Sequence, residues 1–259
     1  PYTFITNCAP IASLPWEEDF DNLTTTGTTI YPPCWFNEAP TPAVWSTTNA
    51  ALSTITAGPL SPANYLRVRY TSDAAIWTPV FDLVAGETYE FTFNWAGSGI
   101  SGWDGSVYVN SSQSSTGATM LGAKFVESLD VPTFDYRKET YCFVPTTSGA
   151  YAFGVKMQAT ATSRYLSFDD FKLKSVITTP GIDGNLSVCQ TGSTVDLSNV
   201  ITAATTDGTW NFTLNPTAVN SAGVFNPNSV PTGLHNFYFI TEGCAADTTT
   251  ATITVVKPS

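Results

Sequence analysis

Apolar and polar residues alternate along much of this chain with a period of two. In 88–95, Tyr89, Phe91, Phe93 and Trp95 fall on one side, and Glu90, Thr92 and Asn94 on the other. In 151–157, Tyr151, Phe153, Val155 and Met157 alternate with Ala152, Gly154 and Lys156. Successive side chains of a β-strand point to opposite faces, so this pattern predicts strands with one buried face. Further strands are predicted at 18–22, 65–70, 75–82, 106–109, 137–144 and 165–174. Turn residues such as Ala85-Gly86-Glu87 and Thr147-Ser148-Gly149 separate them. No long stretch carries the i, i+3, i+4, i+7 spacing of an amphipathic helix.

The character of the chain changes at 175–184, where Thr178-Thr179-Pro180-Gly181 reads as a short linker. A second set of strands follows at 193–197, 208–214, 235–241 and 250–256. The expectation is an all-β protein of two domains, 1–176 and 182–259. Composition agrees. Among 259 residues, 42% are apolar and only 12% charged, which gives ample material for two cores and excludes a disordered tail. The net charge of −11, with no basic patch, argues against DNA, RNA or anionic membranes as partners. No run approaches the roughly 20 apolar residues of a membrane helix, so no membrane insertion is expected. The chain opens at Pro1 without a signal peptide and is expected to be a piece of a longer polypeptide.

The cysteines are Cys8, Cys34, Cys142, Cys189 and Cys244, with no CxxC pair that would suit a thiolate metal site. Abundant Trp and Thr with few Lys suit secretion, where disulfides persist. A Cys189–Cys244 bridge would join early and late strands of the second domain. Cys8–Cys34 is then the natural pair in the first, leaving Cys142 as a buried free thiol; Cys34–Cys142 is the alternative.

Four motifs in order carry a resemblance. They are Leu14-Pro15-Trp16-Glu17-Glu18-Asp19-Phe20-Asp21-Asn22, then Pro32-Pro33-Cys34-Trp35, then Trp77-Thr78-Pro79-Val80-Phe81-Asp82-Leu83 with Gly86-Glu87-Thr88-Tyr89-Glu90-Phe91, and last Tyr165-Leu166-Ser167-Phe168-Asp169-Asp170-Phe171-Lys172-Leu173. On these, the first domain resembles the jelly-roll cleaved-adhesin and MAM-like modules of Bacteroidetes surface proteins. Val188-Cys189-Gln190-Thr191-Gly192, Gly208-Thr209-Trp210 and Gly243-Cys244 carry the second resemblance, to the Ig-like or PKD-like modules of type IX-secreted adhesins. The fold this implies is a jelly-roll β-sandwich followed by a smaller Ig-like β-sandwich, with Trp210 packed in the second core.

The resemblance also implies a structural Ca²⁺ between the first and last strands. Glu18, Asp21 and Asp169 are its expected ligands, with Asp19 and Asp170 next. Hard oxygen ligands suit that ion; the competing reading is solvated charge on edge strands. The glycine-rich loop 97–105 offers Trp103 and Asp104 as a ligand site, an indole face for a sugar ring beside a carboxylate for its hydroxyls. The alternative is a hairpin whose Trp folds back onto the core. His235, the only histidine, lies in an apolar strand without G-x-S-x-G or Cys-His context. Phosphate-binding glycine motifs are absent. Asp247-Thr248-Thr249 makes Thr248 a candidate for O-glycosylation.

Together these features predict a non-enzymatic adhesion or display module at the outer cell surface. Its expected partners are glycans or other surface polymers and neighbouring domains of the same polypeptide. Two alternatives stand beside it: an ancillary carbohydrate-binding module of a secreted hydrolase, and a structural unit of an extracellular filament.

Overall fold

A computed structural model describes residues 8–38, 45–53, 56–69, 74–97, 102–127, 134–159, 165–176, 181–202, 208–211, 218–241 and 243–258. Residues 177–180 of the linker, 98–101 of the glycine-rich loop and 212–214 of a predicted strand lie outside them. The chain divides into two compact units, Pro1–Ser175 and Val176–Ser259.

The first unit contains β1 (Trp16–Glu18), β2 (Phe36–Asn37), β3 (Trp45–Thr48), β4 (Tyr65–Arg69), β5 (Ala74–Trp77), β6 (Phe81–Leu83), β7 (Thr88–Ala96), β8 (Trp103–Asn110), β9 (Thr119–Val126), β10 (Arg137–Phe143), β11 (Gly149–Ala159) and β12 (Tyr165–Val176). One sheet runs β10-β7-β12-β4-β3, with β1 added against β12. The other runs β2-β5-β11-β8-β9, with β6 against β11. The two form an antiparallel sandwich. The alternating residues of β7 and β11 fill the space between them. Phe91, Phe93 and Phe153 are fully buried, and Phe91 stacks on Phe153 at 4.7 Å between ring centroids. Aromatic pairs of this kind contribute beyond the area they bury.

The second unit contains β13 (Gly184–Cys189), β14 (Val195–Asp196), β15 (Gly208–Asn211), β16 (Val224–Phe225), β17 (Gly233–Thr241) and β18 (Asp247–Val256). Its main sheet runs β13-β18-β17-β15, and β14 pairs with β16. Ala251, Ile253 and Val255 of β18 and Phe237 of β17 are buried. Trp210 packs against them, with its ring 5.1 Å from that of Phe239.

Cys8 and Cys34 form a disulfide with Cα atoms 5.7 Å apart. The other expected pairing is corrected. Cys189 is a free, exposed thiol, whereas Cys142 and Cys244 are both disulfide-bonded. The reason is the direction of β13. It pairs parallel with β18, which sets Cys189 opposite Val256, while Cys244 lies just before Asp247 at the other end of that strand. The two cysteines are therefore on the order of 30 Å apart at about 3.3 Å per residue, far beyond the roughly 7 Å limit for a bridge. Nor is Cys142 buried. The core-facing position of that part of β10 belongs to Tyr141, and Cys142 points outward opposite Glu90.

Candidate binding site

Strand β1 pairs antiparallel with β12, setting Glu17 opposite Lys172 and Glu18 opposite Phe171. The acidic run that begins the fold thus lies beside Asp169 and Asp170. In β12, Phe168 and Phe171 are both buried in the core although three residues apart, a spacing that a regular strand cannot give. Asp170 absorbs the extra residue with a left-handed backbone, φ 51°. Asp tolerates that region better than most residues.

Asp169 is completely buried. Its Oδ2 accepts hydrogen bonds from the backbone N–H groups of Leu60 at 2.9 Å and Ser61 at 3.2 Å, and its Oδ1 accepts from Asp170 N–H at 3.0 Å. It ties a surface loop to the sheet. Burial pushes its carboxyl up to about 7, the amide bonds offsetting only part of the effect and the Asp170 charge adding to it. The other carboxylates each support local backbone. Glu18 Oε1 accepts from Phe20 N–H at 2.8 Å, Asp19 Oδ1 from Asp21 N–H at 3.0 Å, and Asp21 Oδ1 from Asn64 N–H at 2.9 Å.

Glu17, Glu18, Asp19 and Asp170 line one side of a cleft of about 290 Å³. Thr92 and Asn94 from the outward face of β7, Lys138 from β10, and Phe171 and Lys172 from β12 line the rest. Lys172 forms an ion pair with Glu17, and Asn94 Nδ2 donates to Asp170 Oδ2 at 3.4 Å. Thr92 is only 4% exposed, and its hydroxyl has no hydrogen bond among the described residues. Burial raises the Glu18 carboxyl, partly offset by the Phe20 amide and reinforced by Asp19 and Asp21. Burial also raises Asp170, offset by the Ser61 hydroxyl and reinforced by Asp19, Asp21 and Glu17. The cleft is a place where negative charge is crowded and hydrogen-bonding groups of both kinds converge. Its one aromatic residue, Phe171, is 1% exposed, so a ligand here would be held by polar contacts rather than by stacking.

A Ca²⁺ ion takes about six to eight oxygens. Glu18, Asp19 and Asp170 border the cleft and fit that chemistry in part, since Glu18 Oε2 and Asp19 Oδ2 have no hydrogen bond among the described residues. Asp169 is engaged by three backbone amides, and Asp21 is turned toward Asn64. Among the described residues, no three acidic, histidine or cysteine side chains stand close enough to form a ready cage.

Trp103 and Asp104 lie elsewhere and do not present a stacking platform. Trp103 is 6% exposed and packs edge-on against Trp95 at 5.2 Å, because as the first residue of β8 it falls on the core-facing side of the strand. Asp104 points the other way and pairs with Lys124 at 2.9 Å. His235 is also on a buried face, with Nε2 2.8 Å from the Pro231 carbonyl oxygen. Sequence reasoning missed Asn94, Thr92 and Lys138. The alternation in 88–95 marked Thr92 and Asn94 as outward-facing, but nothing local marked β10, which carries Lys138, as the neighbour of β7.

No protein-family model matches the sequence, and neither does any curated protein. Among solved structures, the chain is similar to the K1 cleaved adhesin domain of Lys-gingipain from Porphyromonas gingivalis W83, at 19% identity and a TM-score of 0.46, over 62% of this chain and 98% of that one. It is also similar to the CBM22-1 xylan-binding domain of Xyn10C from Paenibacillus barcinonensis, at 12% identity and a TM-score of 0.36, over 64% and 97%. A third is TmCBM61 in complex with β-1,4-galactotriose, at 14% identity and a TM-score of 0.40, over 54% and 88%. Likenesses of this size concern the fold alone and assign no residue a role.

Proposed function

We propose that this chain is a non-catalytic binding module of an extracellular surface protein, and that its cleft at β1, β7, β10 and β12 takes a polar ligand of the glycan class. The observation that carries the reading is the cleft itself. Carboxylates, an amide, a hydroxyl and an ammonium converge on rigid strands, the arrangement that fixes the orientation of a small polar ligand. Disulfide-bonded Cys8, Cys34, Cys142 and Cys244 support an oxidising, extracellular setting. In this reading Ca²⁺ is held by Glu18, Asp19 and Asp170, drawn together on binding, and it relieves the repulsion among carboxylates that adds to the effect of burial on Glu18 and Asp170.

The test is a glycan array probed in Ca²⁺ and in EDTA, alongside thermal unfolding in the same two buffers. Ligands captured by the wild type and lost in Asn94→Ala and Lys138→Ala, at unchanged Tm, support the cleft. Capture of no glycan in either buffer overturns the binding reading. A cation at 100 times its Kd stabilises the native state by about 2.7 kcal/mol, so an identical Tm in both buffers removes Ca²⁺ from the proposal.

A further inference from the structure

The outward face of the same sheet carries a second feature, away from the cleft, on β4. Leu66 and Val68 are fully buried in the core, so Arg67 and Arg69 point outward, two residues apart on one face. That places their stems about 6.5 Å apart. Arg67 is held from two sides. Its Nε donates to Ser46 Oγ at 3.3 Å on β3, and its guanidinium carbon lies 4.3 Å from the centre of the Tyr165 ring on β12. Tyr165 stands opposite Arg69 in the register. Both contacts leave the two Nη nitrogens of Arg67 unengaged, and they fix the plane of the fork before anything binds.

The chain is acidic, with 21 Asp and Glu against 10 Lys and Arg. Four other cations find carboxylates: Lys124 with Asp104, Arg137 with Glu127, Lys172 with Glu17 and Lys174 with Glu90. Neither Arg67 nor Arg69 has a carboxylate partner among the described residues. A guanidinium fork offers parallel N–H donors matched to a carboxylate or a tetrahedral oxyanion, and a fork already immobilised loses less entropy when it binds.

We infer that Arg67 and Arg69 form an anion subsite, organised by Ser46 and Tyr165, for the uronate carboxylate or sulfate ester of an acidic glycan. The inference rests on the binding-module reading and adds a ligand class to it. The surrounding negative charge opposes densely charged polymers at long range, so the subsite favours glycans whose anionic groups are sparse.

The test measures binding of the whole chain to two matched pairs of polymers. One is a partly methyl-esterified polygalacturonate and its fully esterified, neutral form. The other is a lightly sulfated galactan and its desulfated form. The expected result is at least tenfold tighter binding to one charged member than to its neutral partner, and loss of that preference in Arg67→Gln and in Arg69→Gln at unchanged Tm. Arg69, exposed and with no side-chain hydrogen bond or ion pair among the described residues, keeps the test valid if Arg67→Gln perturbs folding. Preference within the first pair assigns the subsite to carboxylates, and within the second to sulfate esters. Equal binding to charged and neutral members, or a preference that survives both substitutions, overturns the inference and leaves the binding module standing. Binding to neither these polymers nor any arrayed glycan removes both.

Discussion

The buried carboxylate of Asp169 sets two effects against each other, and the pH dependence of stability decides between them. Three backbone N–H groups hold the ionised form, while complete burial disfavours it. Burial prevails, taking the group from its ordinary 3.8 to about 7. A folded-state value above the unfolded one means that the native protein binds more protons between those limits. The stabilising contribution is therefore fully present below about pH 4 and is lost as pH rises through about 7. The span of about three units, at about 1.4 kcal/mol each, corresponds to roughly 4 kcal/mol. For a unit of this size, about 2–4 °C of Tm follow each kcal/mol, so the loss is on the order of 10 °C. The assay is scanning calorimetry in EDTA from about pH 4 to about pH 7.5, on the wild type and on Asp169→Asn. The substitution sets an amide NH₂ against backbone donors and costs about 1–3 kcal/mol at every pH, but it removes this titration. Glu18 and Asp170 titrate with the same sign in both proteins, so the difference between the two profiles reports Asp169 together with its coupling to Asp170. A wild-type Tm that rises relative to the variant between pH 4 and 7.5 would refute the reasoning and show that the amide bonds outweigh burial.

Two further outcomes follow from the first unit. Trp103→Ala empties a site packed against Trp95 and Phe125, so it should cost about 3–5 kcal/mol in denaturant unfolding while leaving glycan capture intact at a temperature where the variant is folded. Loss of capture without loss of stability would return Trp103 to the binding surface. Replacing Cys8 and Cys34 together by Ala opens a link across 26 residues and should cost about 3.5 kcal/mol by the chain-entropy relation; a Tm within a degree or two of the wild type would contradict it.

Strand identity and facing were legible because they depend on neighbours in sequence. The alternation in 88–95 places Phe91, Phe93 and Trp95 in the core and Thr92 and Asn94 outside, as the structure does. What depends on partners distant in sequence was less so. The acidic motifs at 17–21 and 169–170 do meet, because β1 adds to β12, but Lys138 joins them only through the pairing of β10 with β7. The left-handed turn at Asp170 leaves no mark in an Asp-Asp pair. Trp103, read from its glycine-rich surroundings either as a ligand platform or as a side chain folded onto the core, takes the second place, and its own strand, with Gly105, Val107 and Val109 also facing inward, carries the period that buries it. The cysteines of the second unit were misread because nothing local reports that β13 runs parallel to its neighbour. Arg67 and Arg69 looked like two scattered charges until Ser46 and Tyr165 were placed around one of them.

That parallel pairing has a mechanical consequence. A pull delivered through Gly184 at the start of β13 and through Val256 at the end of β18 acts along both strands in opposite directions. The ladder from Gly184–Ala251 to Cys189–Val256 is then loaded in shear, every rung at once, instead of being peeled open from one end. A sheet loaded this way resists force until the whole ladder gives.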